Sequence, residues 1–110
     1  METPARISLL PGLPPRVVEA LFRLGGKYRE KGVRLFVFGS VASGGSRLGS
    51  DLDLGILWKV EPSKSILAEL YDDVLELPTI RKIDLVDMSR VDPGFRNQVL
   101  SVDPVFLDQN

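Results

Sequence analysis

The sequence predicts an α/β domain in which helices flank a small mixed β-sheet. Three observations support this prediction: apolar residues recur at helical spacing in some segments, β-rich runs separate those segments, and no repeat interrupts them. Elements that alternate between helix and strand pack most economically as helices against a sheet. A chain of 110 residues has room for one such domain with a single hydrophobic core.

The first helix is predicted over residues 16–31. Residues 1–15 contain four prolines and are interpreted as an irregular lead-in segment, so residues 16–110 are taken as the domain. Pro14 and Pro15 suit the first turn of the helix, and Gly32 favours its end. The apolar positions that recur along the helix are Val17, Val18, Leu21, Leu24 and Tyr28.

The first two predicted strands differ in pattern. Residues 33–38 (VRLFVF) carry apolar side chains on both faces, which is typical of an interior strand covered on both sides. Residues 39–50 are rich in Gly and Ser and are predicted to form a loop. Residues 51–58 (DLDLGILW) begin with strict alternation, so Asp51 and Asp53 share one face of the second strand.

The second half of the chain continues the alternation. A second helix is predicted to open at residues 62–63, and residues 82–88 (KIDLVDM) form the third predicted strand. Residues 93–102 are predicted to form a last helix. A short apolar tail follows at residues 105–107.

The composition excludes several classes of chemistry. The chain has no Cys and no His, which excludes disulfides, thiol nucleophiles, thiolate zinc sites, imidazole bases and Ser-His-Asp triads. Fourteen basic and fifteen acidic residues give a net charge of -1, which gives no support to a general polyanion-binding surface. Catalysis would therefore depend on carboxylates, hydroxyls, Lys, Arg, backbone amides and hard metal ions.

The apolar stretches are short. None approaches the ~18 uncharged apolar residues that a membrane-spanning helix needs, and the N-terminus lacks the pattern of a secretory signal. We therefore expect a cytoplasmic protein without a membrane partner, in agreement with the absence of cysteine.

Residues 39–54 are the most informative stretch, and three interpretations compete for it. A phosphate-binding P-loop would need Lys where Gly45 stands. A calcium loop that starts at Asp51 fails because Gly55 takes the place of its third ligand and Pro62 that of its final Glu. The third interpretation is a strand that ends in Gly-Ser, a Gly/Ser-rich turn, and an Asp-x-Asp pair on the next strand.

This third pattern resembles the minimal nucleotidyltransferases of the DNA polymerase β superfamily. Their motif has Gly-Ser, an Ala-Arg-Gly-like turn, Ser-Asp-Ile/Leu-Asp-Leu, and a third Asp on a later strand. Here Gly39-Ser40, residues 50–54 (SDLDL) and Asp84 in KIDLVD occupy those places. The resemblance runs from about residue 33 to residue 107 and implies the polymerase β-like nucleotidyltransferase fold.

The resemblance implies an enzyme that moves a nucleoside monophosphate from an NTP to an acceptor hydroxyl and releases pyrophosphate. ATP is the expected donor, and two Mg²⁺ ions, with Mn²⁺ as a substitute, are the expected cofactors. The catalytic and metal-binding residues that it implies are Asp51, Asp53 and Asp84. The nucleotide-binding residues that it implies are Gly39, Ser40, Arg47 and Ser50.

The carboxylates also suit this role on physical grounds. Two carboxylates at positions i and i+2 of a strand project from one face and can share hard cations, and a third from a neighbouring strand can complete a two-metal site. Asp is depleted inside strands, so Asp53 and Asp84, each between two apolar residues, favour a functional interpretation. Asp87 points to the opposite face and is expected to be a surface or cap residue.

Two functional hypotheses remain open. Minimal members of the family pair with HEPN proteins in toxin–antitoxin modules, so the resemblance implies a HEPN-like partner or a second copy of the chain. A nucleic acid is expected only as an acceptor. The alternative is a catalytically weak nucleotide-binding subunit of a two-component complex, because Ser43 stands where the family carries Arg. Arg47 in the same loop is the candidate replacement for that cation.

Overall fold

The computed structural model describes residues 9–42 and 51–108. In chain order they form α1 (Pro15–Arg29), β1 (Val33–Phe38), the one-turn helix α2 (Gly39–Ala42), β2 (Leu52–Trp58), α3 (Lys64–Leu75), β3 (Ile83–Asp87), α4 (Pro93–Ser101) and β4 (Val105–Phe106). These strands form a sheet in the order β3-β2-β1-β4. β1 is antiparallel to β2 and β4, and β2 is parallel to β3, so the predicted small mixed sheet is confirmed.

Local sequence signals start and end the helices close to the predicted positions. Pro14 is the N-cap of α1, and Gly32, with a φ of +84°, follows the end of that helix. The Ser63 hydroxyl accepts a hydrogen bond from the Ile66 amide and caps α3. The carboxylate of Asp92 accepts bonds from the first turn of α4 in the same way.

The apolar tail is the element whose structure differs most from its prediction. Residues 105–107 were expected only as a tail, but Val105 and Phe106 pair with β1 as an edge strand. The Leu107 amide extends this pairing by donating to the Leu35 carbonyl at 2.9 Å. β1 therefore lies between β2 and β4, which agrees with its predicted interior position.

The hydrophobic core lies on one face of the sheet, between the strands and helices α1 and α3. The strands contribute the fully or almost fully buried residues Val33, Leu35, Val37, Leu52, Leu54 and Ile56. The helices contribute, among others, Val17, Val18, Leu21, Tyr28 and Leu70. Leu10 and Leu13, from the segment predicted as an irregular lead-in, are buried in the same core. No helix within residues 9–42 and 51–108 has the length and apolar content needed to cross a membrane.

The second face of the sheet is partly open and carries the polar residues. Phe36 pairs in register with Gly55, and its ring occupies the space that a side chain at Gly55 would need. Phe36, Phe38 and Phe106 form an aromatic cluster on this face, with ring centroids 5.2 to 5.7 Å apart. On the strands beyond this cluster, the same face presents two of the predicted catalytic carboxylates, Asp53 and Asp84.

A bidentate ion pair lies at the edge of the sheet that β4 forms. The Arg34 guanidinium donates to both carboxylate oxygens of Asp108, at 2.7 and 3.2 Å, and lies over the Phe106 ring. This hydrogen bonding holds the pKa of Asp108 below its usual value. The pair joins residues that are 74 positions apart in the sequence.

We expect Asp108→Asn to lower the free energy of unfolding by about 1 kcal/mol at neutral pH, because the charged partner of Arg34 is lost. A lowered folded-state pKa contributes stability above the unfolded-state pKa and loses it as pH falls through the folded value. Urea unfolding at about pH 7 and about pH 2 should therefore show the deficit only at the higher pH. Asp72→Asn, at an exposed carboxylate on α3, is the control; a deficit of equal size at both pH values would contradict the expectation.

Candidate active site

Gly39 makes the turn from β1 into α2. Its φ of +77° lies in the left-handed region that residues with a side chain rarely adopt. A Cβ at this position would also lie 2.5 Å from Oδ2 of Asp53. The glycine therefore serves two purposes: it permits the turn, and it lets a carboxylate approach the backbone at the end of β1. Ser40, the next residue, is exposed beside it.

Asp53 and Asp84 lie side by side on neighbouring strands. They are direct register partners in the parallel pair of β2 and β3, whose strands are about 4.8 Å apart. Residues paired in this way project from the same face of the sheet. On the other side of Asp53, its partner in β1 is Phe38. The tertiary structure thus brings together two carboxylates that are distant in the sequence.

Asp51 lies next to this pair but outside the strand. β2 begins at Leu52, one residue later than predicted, and the Asp51 side chain is exposed. Its negative charge still acts on Asp53. Among the described residues, no three acidic side chains converge closely enough to form a metal-binding group.

The pKa of Asp53 is raised above its ordinary value. Partial burial of the Asp53 side chain is the main cause of the increase, and the charges of Asp84 and Asp51 add to it. Within the described residues, Asp53 has no hydrogen-bond or ion-pair partner. Asp84 has a weak contact with Lys82, whose Nζ lies 3.8 Å from Oδ1 on an exposed side chain. The residues that the structure describes therefore compensate the negative charge of Asp53 and Asp84 only slightly.

This donor set fits a magnesium ion. Carboxylate oxygens are the ligands that hard cations prefer, and Asp53 is a partly buried carboxylate that lacks a described partner. The absent side chain at Gly39 leaves space beside its Oδ2. The predicted residues Arg47 and Ser50, together with Ser43, lie outside the described residues.

Asp87 has a structural function, in agreement with its interpretation as a cap residue. Its Oδ1 accepts hydrogen bonds from Trp58 Nε1 at 3.0 Å and from the amide and hydroxyl of Ser89 at 2.9 and 2.7 Å. It therefore connects the end of β2 to the turn after β3. The Asp87 carboxylate thus has hydrogen-bond partners, whereas Asp53 is not paired with any described group.

A cleft next to Gly39 contains residues that the sequence analysis did not single out. Its volume is about 380 Å³ and its lining is Phe38, Gly39, Phe95, Gln98, Val99 and Val102. Four of these residues belong to α4 or to the residue that follows it. The sequence signal that could have indicated them is the apolar spacing of Phe95, Val99 and Val102 within the predicted last helix.

Two solved structures have a similar fold. One, described as a "toxin-antitoxin with AMP-PNP", has a TM-score of 0.60 and 19% identity and covers 84% of this chain and 73% of its own. The other, the "toxin-antitoxin MntA-HepT", has a TM-score of 0.53 and 17% identity, with 84% and 72% coverage. At these identities the similarity concerns the fold.

Sequence comparison identifies the family. No curated protein sequence matches this chain significantly. Residues 27–110 match the family model described as "Polymerase beta, Nucleotidyltransferase", and this range includes β1 through β4 and all three predicted catalytic carboxylates. Since the match spans most of the chain and agrees with the fold, the chain belongs to the polymerase β nucleotidyltransferase family.

Proposed function

We propose that this protein transfers AMP from ATP to an acceptor hydroxyl and releases pyrophosphate. The observation that supports the proposal is the register pair of Asp53 and Asp84 on the open face of the sheet, with Gly39 against Asp53. Phosphoryl-type transfer depends on positioning and on neutralisation of charge, and the carboxylates of this face would hold the cations that neutralise the triphosphate.

In this proposal Asp51, Asp53 and Asp84 would hold two Mg²⁺ ions, for which Mn²⁺ can substitute. When bound, Mg²⁺ supplies the positive charge that offsets the triphosphate and the developing charge on the transferred group. Asp53 is half-buried, which suits a ligand shared by both ions. The Asp84 side chain is 41% exposed, so an acceptor could approach it from solvent.

The proposed reaction requires one proton transfer. The acceptor hydroxyl oxygen forms a bond to the α-phosphorus, and the bond from that phosphorus to the oxygen bridging to the β-phosphate breaks, so pyrophosphate leaves. A carboxylate oxygen of Asp84 would accept the hydroxyl proton. Gly39 would let the backbone approach the triphosphate, and Ser40 would offer its amide and hydroxyl. Arg47 and Ser50 remain proposed contacts of the same phosphates.

A protein partner is the second part of the proposal. It rests on the two similar structures being toxin–antitoxin complexes and, for the HEPN class of partner, on the family resemblance. A hydroxyl of that partner is the proposed acceptor, and the cytoplasm is the proposed location. A second copy of the chain is the alternative partner, and a nucleic acid is proposed only as an acceptor.

A catalytically weak nucleotide-binding subunit is the second candidate function. One observation favours it: Ser43 stands where the family carries Arg, so a cation that could contact the triphosphate is missing at that position. A binding subunit would retain affinity for the nucleotide without transferring it. Binding and transfer therefore need separate measurements.

Magnesium should strengthen ATP binding by at least about ten-fold, equivalent to ~1.4 kcal/mol, because a cation would bridge the carboxylates and the phosphates. Titration calorimetry with ATP in Mg²⁺ and in EDTA measures this. Asp53→Asn should remove most of the difference, while Asp72→Asn, on the exposed side of α3, should leave it. Equal affinity of the wild type in both conditions would contradict the proposed site.

A transfer assay with the same protein distinguishes the two candidate functions. The protein is incubated with Mg²⁺, ATP labelled at the α-phosphate, and a HEPN protein as acceptor. Label on the acceptor, with release of unlabelled pyrophosphate, supports the transferase. Magnesium-dependent binding without any transfer supports the binding subunit instead.

A further inference from the structure

We propose that the cleft between the end of β1 and α4 binds the base of the donor nucleotide, with Phe95 as a stacking surface and Gln98 as the group that selects adenine. This proposal rests on the proposed function, because it assigns a position to the nucleotide of that same site. It identifies α4 as the element that determines which nucleotide is used.

The position of the cleft is the first argument. Gly39 lines the cleft and also lies against Asp53, so the two sites share a residue. Phe38 lines the cleft as well and is the register partner of Asp53. A nucleotide with its phosphates at the carboxylates would therefore reach the cleft directly. The grooves along α1 and at the outer edge of β3 are lined by neither Gly39 nor Asp53.

The apolar face of α4 is the second argument. Phe95, Val99 and Val102 follow one another at spacings of four and three residues and form one face, as in helices that pack onto a core. Yet no residue of α4, all of which the structure describes, is buried, and Phe95 is 43% exposed. This apolar face lines the cleft instead of the core. A ligand with a flat apolar surface would complete its burial.

The chemistry of the lining indicates a base. The cleft volume of about 380 Å³ is within the range of roughly 300–1,000 Å³ that is usual for small-molecule sites. Its described lining carries no charged group, which does not suit phosphates. Aromatic side chains stack on bases, and Phe95 offers an exposed ring for this purpose.

Gln98 gives the cleft a preference for adenine over guanine. Its side chain is exposed, and its amide has no hydrogen-bond partner among the described residues. An amide offers one donor and one acceptor side by side, which matches the N7 acceptor and the N6 amino donor of adenine. Guanine presents two acceptors on that edge, so the amide could satisfy only one of them. We therefore expect ATP to bind more tightly than GTP.

Calorimetry of the full chain in Mg²⁺ tests the assignment with three probes: ATP, GTP and inorganic tripolyphosphate. Phe95→Ala should lower ATP affinity by roughly ten-fold and leave tripolyphosphate affinity unchanged, because only the stacking surface is removed. Phe95→Tyr should restore ATP binding. Gln98→Met should reduce the preference for ATP over GTP, and Asn97→Ala, beside it on α4, should change nothing.

The outcomes separate this inference from the proposed function. Unchanged ATP affinity in Phe95→Ala overturns the base site and leaves the carboxylate site standing. An equal loss for ATP and tripolyphosphate also overturns it, since a general disturbance then explains the result. If the wild type binds neither ATP nor tripolyphosphate, the proposed function is wrong and this inference falls with it.

Discussion

Asp53→Asn should reduce nucleotidyl transfer by at least about 1,000-fold, equivalent to ~4 kcal/mol of transition-state stabilisation. The substitution replaces a negatively charged oxygen that the proposed cations require with a neutral amide. It does so in the carboxylate that is the register partner of Asp84. Transfer assays with labelled ATP measure the loss. The domain itself should stay folded.

The stability of the same variant should be equal to or slightly above that of the wild type. Burial and the neighbouring carboxylates raise the pKa of Asp53 in the folded state. Such a group costs stability above its folded-state pKa, and the cost disappears as pH falls below the unfolded-state pKa. The gain from Asn should therefore be present at neutral pH and absent in acid. Thermal melting across that pH range measures it.

Asp87→Asn is the matched control for this prediction. Asp87 belongs to the same strand as Asp84, but it accepts hydrogen bonds from Trp58 and Ser89. Loss of its charge should weaken those bonds and lower stability by up to about 1 kcal/mol, with transfer retained. If Asp53→Asn melts well below the wild type, or if it keeps full transfer activity, then Asp53 has a structural function and not a catalytic one.

Gly25→Ala should lower the free energy of unfolding by about 3 kcal/mol, near the upper end of what overpacking costs. A Cβ at Gly25 would collide with the backbone carbonyl of Leu107, which cannot move without disturbing the edge of the sheet at β4. Helix propensity alone would favour the substitution by ~1 kcal/mol, so its sign tests the packing. Urea unfolding at neutral pH is the measurement.

Gly26→Ala is the control for this second prediction. Gly26 is the next residue of α1, and a Cβ there would meet no atom within 4 Å. Only the propensity effect applies, so the variant should be more stable than the wild type by ~0.5–1 kcal/mol. Two adjacent glycines should thus respond in opposite directions. Similar stabilities for both variants would show that α1 does not pack closely on Leu107.

Helices α1, α3 and α4 and the first three strands could be predicted from the sequence because their signals are local. β1 has its predicted bounds because a β-rich run lies between Gly32 and Gly39, which both adopt positive φ. Gly39, Asp53 and Asp84 could be selected as candidate site residues because Gly-Ser, Asp-x-Asp and a later Asp follow one another at a recognisable spacing.

Contacts between distant segments could be identified only in the folded domain. The register that pairs Asp53 with Asp84, the addition of β4 to β1, and the contact of Gly25 with Leu107 each join residues more than 25 positions apart. Hydrophobic periodicity describes one element at a time, so it cannot specify which elements meet. The cleft beside Gly39 depends on the packing of α4 near β1, and for the same physical reason it became visible only in the folded domain.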